Sequence, residues 1–361
     1  VDQGGTLDVT LNGAESLGSA GGAIDLAGVG GSFTVTGTTN ITGAHSGGGV
    51  DITGSSVSAS LAGGGTISTG SATAVNFVGN TGSLELGGGL DIVTTSGAGL
   101  NATGGGTVTV TGAGNSVTST TGTAVTVSGT AIGAAGVTLE SVSVAGAANG
   151  IVLANTGSAG GFAVTGTGNA DGSGGNILNT TGRGISITNA SDINLANINL
   201  TNAGSVDLDA TNGGLATGDN LDTNAAIHLA TVTDVLLDNI NISGGAEQGI
   251  NGNNVTNFAL LNSSITGVGN GSDEDGIHFY NMLGTGRIVN TTVTGSGDDN
   301  VNLQMQSGNL DLHIEGGGAS NAVAGSGYLI GIRGSAVANI NLEDVTAQNN
   351  QSGGIVADAF D

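Results

Sequence analysis

The chain has 361 residues, with 73 Gly, no Pro and no Cys, and 37% of its residues are hydrophobic. This composition excludes a disordered Gly-rich linker as well as any disulfide or thiolate metal site. The formal net charge is −25, with three Lys or Arg residues in total, so we expect no binding to nucleic acid, whereas divalent cations suit this surface. No apolar run approaches the roughly 20 residues of a membrane span, and we expect no direct membrane insertion by this segment.

Short strand patterns recur along the whole chain at intervals of 23 to 28 residues, apart from two longer intervals of 34 and 42. The apolar residues that open the copies are Ile24, Val50, Val75, Leu100, Val125, Ile151, Ile185, Ile227, Ile250, Ile277, Val301, Leu329 and Ile355. Gly, Asn, Asp, Ser and Thr between the apolar runs leave room for about three strands in each copy. The period predicts an all-β fold, a right-handed parallel β-helix of about 12 coils that forms one solenoid domain over residues 1–361.

An array of antiparallel hairpins is the alternative to this solenoid. Pairs such as Asn12-Gly13 and Asn149-Gly150 suit hairpin turns. They do not occur at every strand junction, however, whereas the period of about 25 residues does recur throughout. The period therefore favours the solenoid.

Residues 1–149 are the most regular part of the chain. Runs such as 105–110, 123–127 and 137–144 alternate Val with Thr or Ser, which predicts one buried face and one face lined by hydroxyl groups. His45 lies in a turn pattern, and we expect it to be a solvated loop residue. Nothing in this part of the chain predicts a reactive site.

From residue 150 onward, an Asn recurs at a fixed place in the second apolar run of successive copies. The residues at this place are Asn197, Asn239, Asn262 and Asn290, with Asp344 near the end of the chain. A recurring Asn at one phase of a short-strand repeat predicts a ladder of stacked side-chain amides at a turn.

Acidic residues gather near the start of the later copies. The two long intervals carry insertions at 167–175 and 203–224, and both should bulge from the corner that precedes the next Gly-Ile strand. The same corner receives Asp273, Glu274, Asp275, Asp298 and Asp299. Adjacent coils would bring these carboxylates to within ~5 Å of one another. An all-oxygen cluster of this kind suits Ca²⁺, which is the one possible cofactor; the alternative is a solvated acidic edge that limits aggregation.

Polar and aromatic residues recur on the outward side of the first strand of each late copy. They are His228, Asn251, His278, Tyr280, Asn302 and Gln304. Such groups on a flat strand face can form hydrogen bonds to sugars and stack on sugar rings, so we predict contact with a glycan. The alternative is an ordinary polar outer face.

The strand Gly276-Ile277-His278-Phe279, the Asn-containing second strand and the Gly-rich turns resemble the right-handed parallel β-helix superfamily. Within it, the Thr-, Gly- and Asn-rich texture without Cys is most similar to adhesins and autotransporter passengers of bacterial surfaces. The resemblance implies an extracellular, non-catalytic stalk that binds a cell-surface or matrix glycan or protein. Because Val1 is not Met and a new copy opens at Gly354, we also expect an excerpt of a longer polypeptide.

Two further functions stay open. Gly297-Asp298-Asp299 is similar to the Gly-Asp-Asp element of polygalacturonase-like hydrolases, in which paired carboxylates supply acid and base. The Asn-Thr-Asp, Gly-His-Gly and Arg-Ile-Lys elements of that family have no match here, so we predict no catalytic residue. The other alternative is a filament whose subunits associate end to end or side by side through unpaired strands.

Overall fold

A computed structural model describes residues 4–206 and 224–360, and every regular element in these ranges is a β-strand. The described residues form an all-β parallel β-solenoid of about 13 turns, which confirms the predicted fold class. They fall into two compact units. The first contains the residues up to 168 with 173–175 and 189–192, and the second contains 169–172, 176–188 and those from 193 onward. No described residue belongs to a helix that could cross a membrane.

In the first unit, each turn adds one strand to each of three columns, and neighbouring strands within a column pair in parallel. The first column contains the residues that open each copy: Ile24–Ala27, Val50–Thr53, Val75–Val78, Leu100–Thr103, Val125–Ser128 and Ile151–Gly157. The second column consists of Thr6–Leu11, Gly30–Val35, Ser58–Leu61, Ser83–Gly87, Thr107–Thr111, Ala131–Leu139 and Phe162–Val164. The third column consists of Ala14–Ser19, Thr39–His45, Gly65–Gly70, Leu90–Thr94, Ser116–Ser119 and Ser141–Ala145.

In the second unit, several strands continue through the corner between columns. The long strands are Ile185–Ala196, Ala225–Asp238, Gln248–Leu261, Ile277–Thr294 and Asn309–Ser320. The shorter strands of the first and second columns are Val301–Met305, Tyr328–Arg333, Val337–Glu343 and Ile355–Phe360. The remaining short strands are Gly175–Leu178, Ile198–Thr201, Asn241–Ser243, Ser264–Thr266 and Thr346–Gln348.

The core of the second unit is a stack of equivalent aliphatic side chains. Ile227, Ile250, Ile277 and Val301 are register partners on successive strands and are all buried. The next partner in this stack is Tyr328, not the predicted Leu329, which lies one residue further along the strand. The prediction at Leu329 was therefore wrong by one residue. The interior position belongs to the buried Tyr328, whose hydroxyl group makes it an untypical core residue, so the aliphatic Leu329 was chosen in its place.

Two separate pairs of the predicted amide ladder, Asn197 with Asn239 and Asn262 with Asn290, are present at one corner of the second unit. All five of the predicted ladder residues have positive φ, between 50° and 61°, the left-handed conformation that Asn and Asp tolerate best. The Asn239 side-chain amide donates to Asn197 Oδ1 at 2.8 Å, and that of Asn290 donates to Asn262 Oδ1 at 3.3 Å. Asn262 donates instead to Asp238 Oδ1 at 2.9 Å, so a carboxylate forms one rung of the ladder.

In the first unit, the alternation of Val with Thr produces the predicted two-sided strands, with Val108 and Val110 buried and Thr107 and Thr109 half-buried. His45 is not the solvated residue that we predicted. It is buried, and its ring accepts a hydrogen bond from the Gly18 backbone N–H at 3.2 Å and lies 3.1 Å from the Ser19 hydroxyl. The His45 ring therefore links two successive turns through hydrogen bonds.

Candidate functional site

Three of the five predicted acidic ligands lie together at one corner of the second unit. Asp275, Asp298 and Asp299 each offer a carboxylate oxygen, and these oxygens all lie within 4.8 Å of one another. The strands that follow, Ile277–Thr294 and Val301–Met305, pair in parallel, and this pairing brings their preceding turns side by side. Asp275 is 1% exposed, Asp299 is 4% exposed, and Asp298 is half-buried.

The other two predicted ligands do not join this group. The buried Glu274 carboxylate accepts hydrogen bonds from the backbone N–H groups of Asn270 and Gly271, so it closes its own turn. Asp273 is half-buried and acts on the cluster only through its charge, which raises the pKa of Asp298. Sequence spacing could not separate these roles, because adjacent residues in a turn point in different directions.

Hydrogen bonds hold the two buried carboxylates in place. Asp275 Oδ1 accepts the backbone N–H of Asp299 at 2.9 Å, and Asp275 Oδ2 accepts the side-chain amide of Asn302 at 2.9 Å. The backbone N–H of Ser326, one turn further along, donates to Asp299 Oδ1. Charge-assisted bonds of this kind fix the directions in which the remaining lone pairs point.

Burial and mutual repulsion make the cluster hold protons unusually well. The pKa of Asp298 is raised to about 7, first by burial and then by the charges of Asp275, Asp299 and Asp273. Burial and the Asp275 charge raise the pKa of Asp299 to about 6, against the opposing effects of Ser326 and His278. Closely spaced carboxylates out of water favour the neutral acid unless a cation lies among them.

The predicted glycan-contact residues form two rows across successive strands. His228, Asn251, His278 and Asn302 are register partners in the first row, and Asn253, Tyr280 and Gln304 are partners in the second. In the first row, His228 is 2% exposed, Asn251 0% and His278 5%. Asn302, Tyr280 and Gln304 are half-buried, and they are the predicted residues that a ligand could reach. Glycan contact itself stays a prediction.

Sequence reasoning missed further polar groups at this corner. Gln248 is buried with no hydrogen bond to its side-chain carbonyl. Gln248, Asp275, Asp299 and Ser326 all stand two residues before the first core residue of their strand. That shared offset was present in the sequence and could have identified the row.

The fold defines the class of this protein as a parallel β-solenoid. No protein-family model, curated protein or solved structure matches the chain. Because one architecture hosts many functions, the function of this chain has to be inferred from its site residues.

Proposed function

We propose that this chain is a non-catalytic structural and adhesive stalk, part of a large bacterial surface protein displayed outside the cell. The observation that carries the proposal is the regular stacking of hydroxyl-lined strands through the first unit, with residues such as Val75, Leu100 and Val125 in one interior row. Among the described residues, three acidic side chains form a cluster, and this cluster lies in the second unit. A regular repeat with one acidic cluster among its described residues suits display better than turnover.

The half-buried side chains of Tyr280, Asn302 and Gln304, from two adjacent rows, support the adhesive part of the proposal. Gln304 donates its side-chain amide to Asn302 Oδ1 at 2.8 Å, and Gln304 is the register partner of Tyr280 on the neighbouring strand. Ordered amides next to an aromatic ring match the hydroxyl groups and apolar face of a sugar. The partner we propose is therefore a cell-surface or matrix glycan.

Self-association, end to end or side by side, is a further proposal. The last described turns of the second unit expose apolar side chains that it would cover, as further turns of the same chain also would. Val337 is 65% exposed and Ile355 is 53% exposed, although both lie on strands whose partners have buried cores. Ile330, Ile340 and Leu342 line an apolar cavity of about 370 Å³ beside them. One more turn of parallel strand, from a second copy of the chain, would cover this apolar surface.

A glycan array probed with the purified chain tests the adhesive proposal. We expect binding to a subset of glycans, weakened at least tenfold by Tyr280→Ala with Gln304→Ala. The matched control is Asn339→Ala, which removes an exposed amide from a strand of the second column. Absence of glycan binding by the unmodified chain, or equal loss in the control, would contradict the adhesive role.

A polysaccharide hydrolase is the second candidate, favoured by the raised pKa values of Asp298 and Asp299, about 7 and about 6. Against it, Asp275 and Asp299 are almost completely buried, and Ser326 occupies the equivalent corner of the next turn. Incubation with pectin, alginate and other polysaccharides distinguishes the two functions. Release of reducing ends that is abolished by Asp299→Asn would replace the stalk with an enzyme.

A further inference from the structure

We propose that Asp275, Asp298 and Asp299 bind one hard divalent cation, best matched by Ca²⁺, and that the buried His278 ring positions Asp275 for it. The site lies at the corner between two successive turns of the second unit. It is smaller than the five-residue cluster expected from spacing, because Glu274 is engaged within its own turn. The proposal is independent of the adhesive function, since it requires no glycan.

The geometry of the three oxygens fits a cation of this size. They lie within 4.8 Å of one another. Ca²⁺ binds oxygen at roughly 2.3–2.6 Å, so two ligands on opposite sides of the ion are about 4.6–5.2 Å apart. A point between three oxygens that are at most 4.8 Å apart lies no more than about 2.8 Å from each, so inward shifts of a few tenths of an ångström bring all three within bonding distance. The three carboxylates formally carry three negative charges, and a divalent ion leaves only one of these uncompensated.

The buried His278 ring is a second observation, separate from the acidic cluster itself, that indicates a bound cation at this corner. Its ring is 5% exposed, and Nδ1 lies 2.9 Å from Asp275 Oδ2. This contact is an ion-pair contact, and both ring nitrogens are buried without a hydrogen bond. A buried imidazole aimed at a carboxylate matches the outer shell of metal sites, in which a second group orients the ligand.

The donor set selects the class of metal. The clustered ligand atoms are all carboxylate oxygens, and the His278 nitrogens are not among them. Zn²⁺ sites take imidazole or thiolate into the first shell, whereas Ca²⁺ and other hard cations take oxygen. The chain contains no Cys, which removes the thiolate alternative. Ca²⁺ is therefore the expected ion, with water completing its six to eight ligands.

The surrounding backbone keeps room for these carboxylates. A Cβ atom on Gly325 would lie 2.4 Å from Asp299 Oδ1 and 2.6 Å from Asp298 Oδ1, so only glycine allows this approach. The backbone N–H groups of Asp299 and Ser326 then hold Asp275 and Asp299 from one side. These two carboxylates are thus held in place before an ion arrives, which lowers the ordering cost of binding.

Calorimetric titration of the chelator-treated chain with CaCl₂ tests the site. We expect one ion per chain, with a Kd of about 0.1–1 mM, the range of extracellular Ca²⁺ modules. Asp298→Asn should weaken binding at least tenfold. This variant should fold, because it removes a repelling charge from a half-buried position. The control Glu343→Gln removes one exposed charge elsewhere and should leave the Kd unchanged.

Three outcomes would overturn the assignment. One is no heat of binding up to several millimolar CaCl₂, and another is equal weakening by Asp298→Asn and Glu343→Gln, which would mean diffuse charge attraction. The third is a preference for ZnCl₂ that disappears with His278→Leu, which would place the imidazole in the first shell.

The positioning role of His278 has its own readout. His278→Leu should weaken Ca²⁺ binding by about 10- to 100-fold, the usual effect of an outer-shell change. His278→Gln retains a donor and should restore part of the affinity. The melting temperatures of the two variants in chelator serve as the folding check. Equal Ca²⁺ affinity in both variants and the unmodified chain would exclude the positioning role.

Discussion

His228 is a buried imidazole whose proton should control part of the stability of the fold. Burial, and then the charge of Arg183, lower its pKa from 6.5 to about 3. Between these values the unfolded chain binds the proton and the folded chain does not, so the free energy of unfolding falls as the pH drops from about 6.5 toward 3. The raised pKa values of Asp298 and Asp299 act in the opposite direction over this range. We therefore expect the difference to be diagnostic: as the pH drops, the urea midpoint of His228→Gln should rise relative to that of the unmodified chain.

The control for this experiment is His313→Gln. His313 is about one-third exposed, and its ring lies 3.3 Å from Glu315 Oε2. This variant controls for the loss of an imidazole at a site away from His228. Parallel curves for His228→Gln and the unmodified chain would contradict the prediction, because they would mean that His228 binds its proton equally well in the folded and the unfolded chain.

At the scale of single residues, the sequence predicted conformation better than exposure. Asn239 and Asn262 could be placed at a turn because a left-handed backbone favours Asn, and this preference is local. His228, Asn251 and His278 could not be recognised as buried. Strand alternation tells which way a side chain points, whereas burial of an outward side depends on which other segments cover it.

At Gly252, the absence of a side chain on one strand leaves room for a large side chain on the neighbouring strand. Gly252 occupies the interior row between Leu229 and Phe279, and a Cβ atom there would lie 2.2 Å from the Phe279 ring. Gly252→Leu should therefore destabilise the protein by roughly 1–3 kcal/mol through overpacking. Adding Phe279→Leu should recover about 1 kcal/mol or more of this loss, because the smaller side chain makes room.

A double-mutant cycle from urea denaturation measures this coupling. The matched control pairs Gly252→Leu with Phe77→Leu, a change of another buried ring that lies against Gly106. That pair should be additive within about 0.5 kcal/mol. If the changes in the free energy of unfolding were additive for Gly252→Leu and Phe279→Leu as well, the side-chain sizes at these two positions would not be coupled.

At the scale of strands, the repeat fixed the register except where a polar group entered the core. Ile227, Ile250 and Ile277 could be aligned from the sequence because the same Gly-Ile pattern opens each strand. The strand at Tyr328 was misaligned by one residue, since a hydroxyl-bearing ring is not an obvious core residue. Burial raises the pKa of Tyr328 to about 12, as expected for a phenol away from water.

At the scale of the whole chain, the period predicted both the fold class and the meeting of the acidic turns. A repeat of about 25 residues acts over the entire sequence, so single misplaced residues such as Leu329 do not obscure it. The same period predicted that Asp275 would meet Asp298 and Asp299. It could not predict that Glu274 turns back on its own loop, because that choice depends on local backbone N–H groups.

Net charge leads to a prediction for the whole molecule. With 28 Asp or Glu residues and three Lys or Arg residues, the folded chain concentrates a charge of −25 that the unfolded chain spreads out. Salt shortens the Debye length from about 20 Å at 20 mM to about 6 Å at 300 mM, so repulsion in the folded state weakens. In the presence of chelator, the melting temperature should rise by about 2–4 °C between these concentrations. Sodium chloride and choline chloride should give the same rise, because screening depends on ionic strength and not on a bound ion. A melting temperature that stays constant or falls would mean that the acidic groups are already compensated within the fold.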